Sequence, residues 1–181
     1  MEWQAPAAGG GMTLINSGNT SLAGVDTLTI SSIPGTYKHL YIVGIGIRTT
    51  NNYGGYIAIR LNGDTGGNYR SSRYQVVDNT IGGEASVSGF TTYWFAGEVN
   101  QSSAYNELNF FETSIPLYAN TTQYKRAQTF ASSKQGGNVF QNQVGSAFNS
   151  TSAISSITFL TTNVSMGNFA GDSAVYIYGV N

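Results

Sequence analysis

Asp64-Thr65-Gly66 is the triplet that carries the catalytic carboxylate of aspartic proteases, and this chain holds it once. That chemistry needs two carboxylates sharing one proton, so a single copy would have to build its site between two chains. In those enzymes an apolar run leads the triplet into a buried loop. Here Asn62-Gly63 precedes it and Gly67-Asn68 follows it. Asn-Gly and Gly-Gly supply positive φ at low cost and mark tight turns. The stretch from Ile57 to Tyr74 therefore predicts a hairpin, with "IAIRL" and "NYRSSRY" as its arms and Asp64 in the turn. Asn62, Asp64 and Asn68 could together cup a cation, although the spacing of an EF-hand loop is missing.

The other chemistry-bearing residues are sparse. His39 is the only histidine, which rules out a multi-histidine metal site and leaves a Ser-His-Asp triad without an identifiable nucleophile. Its alternation with Tyr37 and Tyr41 marks it as a structural or interface residue. Gly44-Ile45-Gly46 begins like a dinucleotide fingerprint, but Thr49 stands where a third glycine belongs and no helical pattern follows. Those glycines are expected to let a neighbour pack closely on the strand. Glu98, Glu107 and Glu112 fall on neighbouring predicted strands and could face one another as a glycosidase pair does; the plainer expectation pairs them with Lys125 and Arg126. Tyr53, Tyr56, Tyr69, Tyr74, Tyr93 and Tyr105 exceed what a core needs, which predicts an interface or binding face. Trp3 is either packed on its own domain or an anchor for a neighbouring subunit.

Charged residues make up only 9% of the 181 residues, and polarity comes from Ser, Thr, Asn, Gln and 23 glycines. Eight basic residues against nine acidic ones, with no run longer than Lys125-Arg126, exclude a basic footprint for nucleic acid or a polybasic membrane patch. A weakly charged Ser/Thr/Asn surface suits a protein that works inside an assembly. The absence of cysteine excludes disulfides, thiol catalysis and Cys-based metal sites. The N-terminus lacks the basic and apolar regions of a signal peptide, which fits cytoplasmic synthesis. No cofactor is expected.

The elements that must position these residues are strands. "VDTLTISSIPG" places Leu28 and Ile30 on one face, and "YIAIRLNG" sends Ile57, Ile59 and Leu61 inward and Tyr56 and Arg60 outward. "YKHLYIVGIGIRTT" puts Tyr37, His39, Tyr41, Val43, Ile45 and Ile47 on one face and Leu40 and Ile42 on the other. Further runs are "GFTTYWFAGEV", "YNELNFFETSI", "QYKRAQTFAS", "GNVFQNQVGSAF", "AISSITFL" and "DSAVYIYGV". Helical periodicity never persists beyond about a turn. Many short strands in a chain of this length predict an all-β, jelly-roll-like antiparallel sandwich. Residues 1–11, small and Gly/Pro-containing, are expected to form an arm ahead of a single domain spanning 12–181.

Two segments, "SSIPGTYKHLYIVG" at 31–44 and "IRLNGDTGGNYR" at 59–70, resemble a pattern in small virion proteins of tailed bacteriophages: an Ile-Pro-x-Thr-Tyr-x-x-Leu strand entry followed by an Arg-Phe-Asn-Gly-Asp hairpin. The closing "AVYIYGV" is similar to the aromatic last strand of that group, and Leu61 replaces its usual Phe. The resemblance implies a non-enzymatic β-sandwich, made in the host bacterial cytoplasm and located on the outer capsid surface of the virion. It would be a capsid decoration (cement) protein, a homotrimer bound to the major capsid protein of the head. The alternative it implies is a receptor- or glycan-binding module of a tail fibre or spike. A fibre protein normally carries a shaft or attachment segment, and only about ten residues precede the domain here, which leads the expectation toward the head. The interface residues expected on this reading are Trp3, His39, Tyr53, Asn62, Asp64, Asn68 and Tyr69.

Overall fold

Alternating apolar residues give strands with one buried face, and strands of that kind are stable only when two sheets close on each other. The computed structural model describes residues 11–18, 20–51, 55–78, 80–99, 109–135 and 138–181, and the side chains of these except at 81–90 and 135. Its strands are β1 (Met12–Leu14), β2 (Thr27–Ile30), β3 (His39–Ile45), β4 (Gly55–Leu61), β5 (Tyr69–Val77), β6 (Thr80–Thr91), β7 (Trp94–Val99), β8 (Phe110–Pro116), β9 (Lys125–Gln135), β10 (Asn138–Phe148), β11 (Ile157–Thr161) and β12 (Ala174–Val180). They form an eight-stranded sheet in the order β1-β12-β3-β8-β9-β10-β5-β6 and a four-stranded sheet in the order β2-β11-β4-β7. The pairings are antiparallel throughout. The fold is the expected all-β, jelly-roll-like sandwich. The chain changes sheet at most of its connections; only β5–β6, β8–β9 and β9–β10 are sequential hairpins within one sheet. Residues 1–10 of the expected arm lie outside the described residues.

The core lies between the sheets. Trp94 from the small sheet meets Tyr69 and Phe148 from the large one, with the Tyr69 and Phe148 rings stacked at 4.7 Å and Trp94 edge-on to both. Trp94 also donates its indole N–H to the Ala147 carbonyl at 2.7 Å, so the polar atom of the largest core residue is satisfied. The inward and outward assignments for β2 and β4 hold: Ile30, Ile57, Ile59 and Leu61 are buried, and Tyr56 is exposed.

Three expectations are corrected. β4 and β5 are not the arms of a hairpin; they belong to different sheets, and the turn between them is a corner of the sandwich. Ile47 does not share the face of Tyr41 and Ile45. β3 ends at Ile45, Gly46 takes φ +65°, and the broken alternation turns Ile47 into the core. The long β6 was not anticipated, because Gly-Gly and serines dilute its alternation. It joins the large sheet at an edge through a ladder with register shifts.

The close-packing role expected of the β3 glycines is realised at Gly44. It stands opposite Phe111 in the β3–β8 ladder, and a Cβ at Gly44 would overlap the Phe111 ring. Gly44→Ala should therefore cost roughly 1–3 kcal/mol, the range for overfilling a packed interior. Urea denaturation measures it, and adding Phe111→Leu should return part of the loss. An unchanged midpoint in the single variant would refute the packing account.

Candidate functional site

The Asp64 loop is closed upon itself. Asn62 and Gly63 both take positive φ, 54° and 67°, and the Asp64 N–H donates to the Leu61 carbonyl at 3.0 Å; together these make a mirror-image tight turn. One carboxylate oxygen of Asp64 accepts from the Gly66 N–H at 2.7 Å, and the other accepts from the Asn68 amide at 2.8 Å. Asn62 donates to the Ala153 carbonyl at 2.8 Å and accepts from the Ser155 N–H at 2.8 Å, which ties the corner to the segment before β11. Tyr69 is fully buried beneath the turn. Its phenol oxygen accepts from the Leu61 N–H at 2.9 Å and lies 3.0 Å from the Asp64 carbonyl, to which it donates. Burial, as the largest cause, pushes the Tyr69 phenol up to about 12. Asp64 is thus the organiser of a turn, with both oxygens engaged by its own loop.

The glutamates do not form a pair. Glu112 sits on the outer face of the large sheet and accepts from the Tyr41 hydroxyl; that bond, ahead of burial, pushes the Tyr41 phenol up to about 12. Glu98 lies on the edge strand β7 and reaches the inner side of the large sheet, bound to Arg73 at 3.1 Å and to the Gln75 amide at 2.5 Å. The large sheet separates the two, so a glycosidase arrangement of Glu98 with Glu112 is excluded. Glu107 lies outside the described residues. The expectation that Lys125 would serve a glutamate is also overturned. Lys125 is 2% exposed, and its ammonium donates to the carbonyls of Asn120, Gln123 and Thr151 at 2.6, 3.0 and 3.0 Å. Burial lowers its pKa. The lysine gathers two loops rather than neutralising a carboxylate. The Arg126 guanidinium donates to the Lys125 carbonyl.

The outer face of the eight-stranded sheet is a broad surface of the domain. Ladder register carries one row of outward residues through Tyr176, Val43, Glu112, Phe130, Gln143 and Tyr74, and the next through Ala174, Ile45, Phe110, Ser132, Gln141 and Val76. Outward positions of a sandwich are ordinarily polar. Here Phe110 is 46% exposed, Phe130 and Ile45 45%, and Tyr74 44%. One open depression in this face is lined by Tyr74, Phe110, Glu112, Phe130, Gln141 and Gln143. A second lies toward the β1 edge, around Met12, His39, Tyr41, Pro116, Arg126 and Val180.

Of the residues expected at an interface or binding face, His39 and Tyr74 are found on this face. Asn62, Asp64, Asn68 and Tyr69 are gathered at the β4–β5 corner, where their hydrogen bonds serve the fold. Trp3 and Tyr53 lie outside the described residues, as does Tyr105. Sequence reasoning passed over Ile45, Phe110 and Phe130 as surface residues. The available signal was "NFFETSI" beside "AQTFAS", strands whose apolar residues occupy both parities and so cannot all point inward. Comparison with protein-family models, with curated proteins and with solved structures finds no match for this chain.

Two outcomes follow from these contacts. Tyr69→Phe removes the acceptor of the Leu61 N–H inside the core, which should cost about 1–3 kcal/mol; denaturant midpoints check it, and a neutral substitution would show that the corner does not need the phenol. The second concerns pH. Burial raises the Glu98 pKa above the ordinary 4.5, against the lowering effects of Gln75 and Arg73. A raised carboxyl pKa favours the protonated fold, so the Glu98 contribution is fully present below 4.5 and is lost as pH rises through its folded value. The stability of the natural chain relative to Glu98→Gln should fall as pH rises upward from that point. A difference that is flat or grows with pH would contradict the sign.

Proposed function

We propose that the protein is a structural component of a bacteriophage virion, a capsid decoration protein that binds the outer head surface and stabilises the shell. The observation that carries this reading is the apolar and aromatic outer face of the eight-stranded sheet. A protein that stayed free in solution would gain nothing from presenting Phe110, Phe130, Ile45 and Tyr74 on one face, whereas a protein held in an assembly buries them. Removing such side chains from water is worth about 25 cal/mol per Å² of apolar area. The scarcity of charge limits the desolvation cost of that burial. The resemblance of residues 31–44 and 59–70 to tailed-phage virion proteins supports the same assignment. The partners on this reading are the major capsid protein and further copies of the chain, in a homotrimer with closed symmetry.

One observation favours a second reading, a receptor-binding module of a tail fibre or spike. The depression between Tyr74, Phe110 and Phe130 sets aromatic faces beside the amides of Gln141 and Gln143 and the carboxylate of Glu112. Apolar rings beside a few placed polar groups make up a small-ligand site, and a host glycan presents both the C–H faces and the hydroxyls to match it.

Immunogold labelling of intact virions with antibody to this protein separates the readings. Gold over the head is the expected result, gold confined to the tail end selects the receptor module, and unlabelled particles reject both. The face itself is tested by Phe110→Lys with Phe130→Glu. Both positions are exposed, and surface substitutions usually change stability by no more than about 0.5 kcal/mol. The double variant should melt close to the natural protein yet bind particles at least ~10-fold more weakly, a loss of about 1.4 kcal/mol. Undiminished binding would remove this face from the interface.

A further inference from the structure

By the β7 edge, polar side chains from four strands line the inner side of the large sheet. Arg73 and Gln75 come from β5, Glu98 from β7, Asn142 from β10 and Ser133 from β9. The Gln75 amide nitrogen bridges Glu98 and Asn142, at 2.5 Å to the Glu98 carboxylate and 3.1 Å to the Asn142 side-chain oxygen. Arg73 Nη1 reaches the same carboxylate oxygen at 3.1 Å. The Arg73 guanidinium also lies over Phe95 and Tyr56, 4.8 and 5.6 Å from their ring centres. Ala131 stands directly opposite Asn142 in the β9–β10 ladder, so Ser133, two residues further along, is the next inward neighbour.

Four polar atoms of this group are shut off from solvent and have no hydrogen-bond partner among the described residues: Arg73 Nε, Glu98 Oε2, Ser133 Oγ and Asn142 Nδ2. Asn142 and Ser133 are 3% and 5% exposed. Each orphaned group of this kind costs about 1–3 kcal/mol, and a charged one costs more. Two of them, Glu98 Oε2 and Asn142 Nδ2, belong to side chains that the Gln75 amide bridges, and buried groups of this kind ordinarily have a partner.

We infer that ordered water binds beside the Gln75 amide and joins Asn142 Nδ2 to Glu98 Oε2. The chemistry of the open atoms selects the occupant. Gln75 must donate to Glu98, so its amide is oriented, and its second hydrogen bond in turn orients Asn142 with the nitrogen toward the site. The Asn142 N–H group faces the site and the Arg73 guanidinium already holds Glu98, which disfavours a metal cation. The Glu98 carboxylate repels an anion. Water accepts from Asn142 Nδ2 and donates to Glu98 Oε2, two of the 2–4 partners that a buried water requires. The Arg73–Glu98 pair is then hydrated from within. The inner side of the large sheet carries a wet polar pocket at the residues whose neighbours, Tyr74, Gln141 and Gln143, line the outer depression.

A crystal structure of the protein at about 1.5 Å tests the inference. The expected result is at least one well-ordered peak within about 3.2 Å of both Asn142 Nδ2 and Glu98 Oε2, the reach of a hydrogen bond. Rotated side chains that bond one another, with no peak between them, would overturn it. So would an anomalous signal, which would identify an ion. In solution, NMR on the same protein should show a long-lived water cross-peak to the side-chain amide protons of Asn142, retained in Phe110→Lys and absent if the site is dry.

Discussion

A chain that changes sheets at most of its connections must satisfy backbone groups at each corner, where the ladders end. The Tyr69 phenol meets this demand at the β4–β5 corner. Its oxygen takes the Leu61 N–H and donates to the Asp64 carbonyl, while its ring stacks on Phe148 and meets Trp94 edge-on. One side chain thus fixes the turn and the aromatic centre of the core together. The Asp64 loop above it, with Asn62 bonded across to residues 153 and 155, holds the end of β4 in step with the segment that enters β11. The triplet that invites a catalytic reading is there because a corner needs positive φ and a carboxylate that caps its own backbone.

Charge is handled with similar economy. Several ionisable groups stand where a neutral side chain would leave backbone or charge unanswered. Lys125 answers three carbonyls, Arg73 and Glu98 answer each other, and Arg48 pairs with Asp172 at 2.6 Å. The Arg73–Glu98 pair links the edge strand of the small sheet to β5, where the small sheet would otherwise end against the longer one. Buried pairs of this kind specify arrangement more than they add stability, because desolvation offsets most of the attraction.

The outer face of the large sheet has the opposite character. Its rows alternate rings and aliphatic groups with amides and hydroxyls, and Glu112 is held there by Tyr41. Such a surface is costly to leave in water and tolerant of a flat partner. On the proposed reading, the same antiparallel ladder that builds the domain also displays the residues it uses in the virion.

The sandwich was legible in the sequence because period-two alternation and turn residues are local properties, readable strand by strand. The inward sides of β2 and β4 and the close packing at Gly44 followed from them. The sheet membership of β4 and β5 was not legible, since a mirror-image turn looks the same whether its flanking strands pair or part. Nor was the place of Ile47, which one positive φ at Gly46 reversed. The interface expectation settled on Asn62, Asp64, Asn68 and Tyr69 because polar loop residues advertise themselves by type, whereas Phe110 and Phe130 were assigned to neither face. Sequence alone determined that the chain is all-β, weakly charged and without thiol chemistry, because composition and short-range alternation decide these. Tertiary structure alone decided which polar groups are spent on the fold and which apolar groups remain outside, because burial depends on which face of a strand a distant sheet covers.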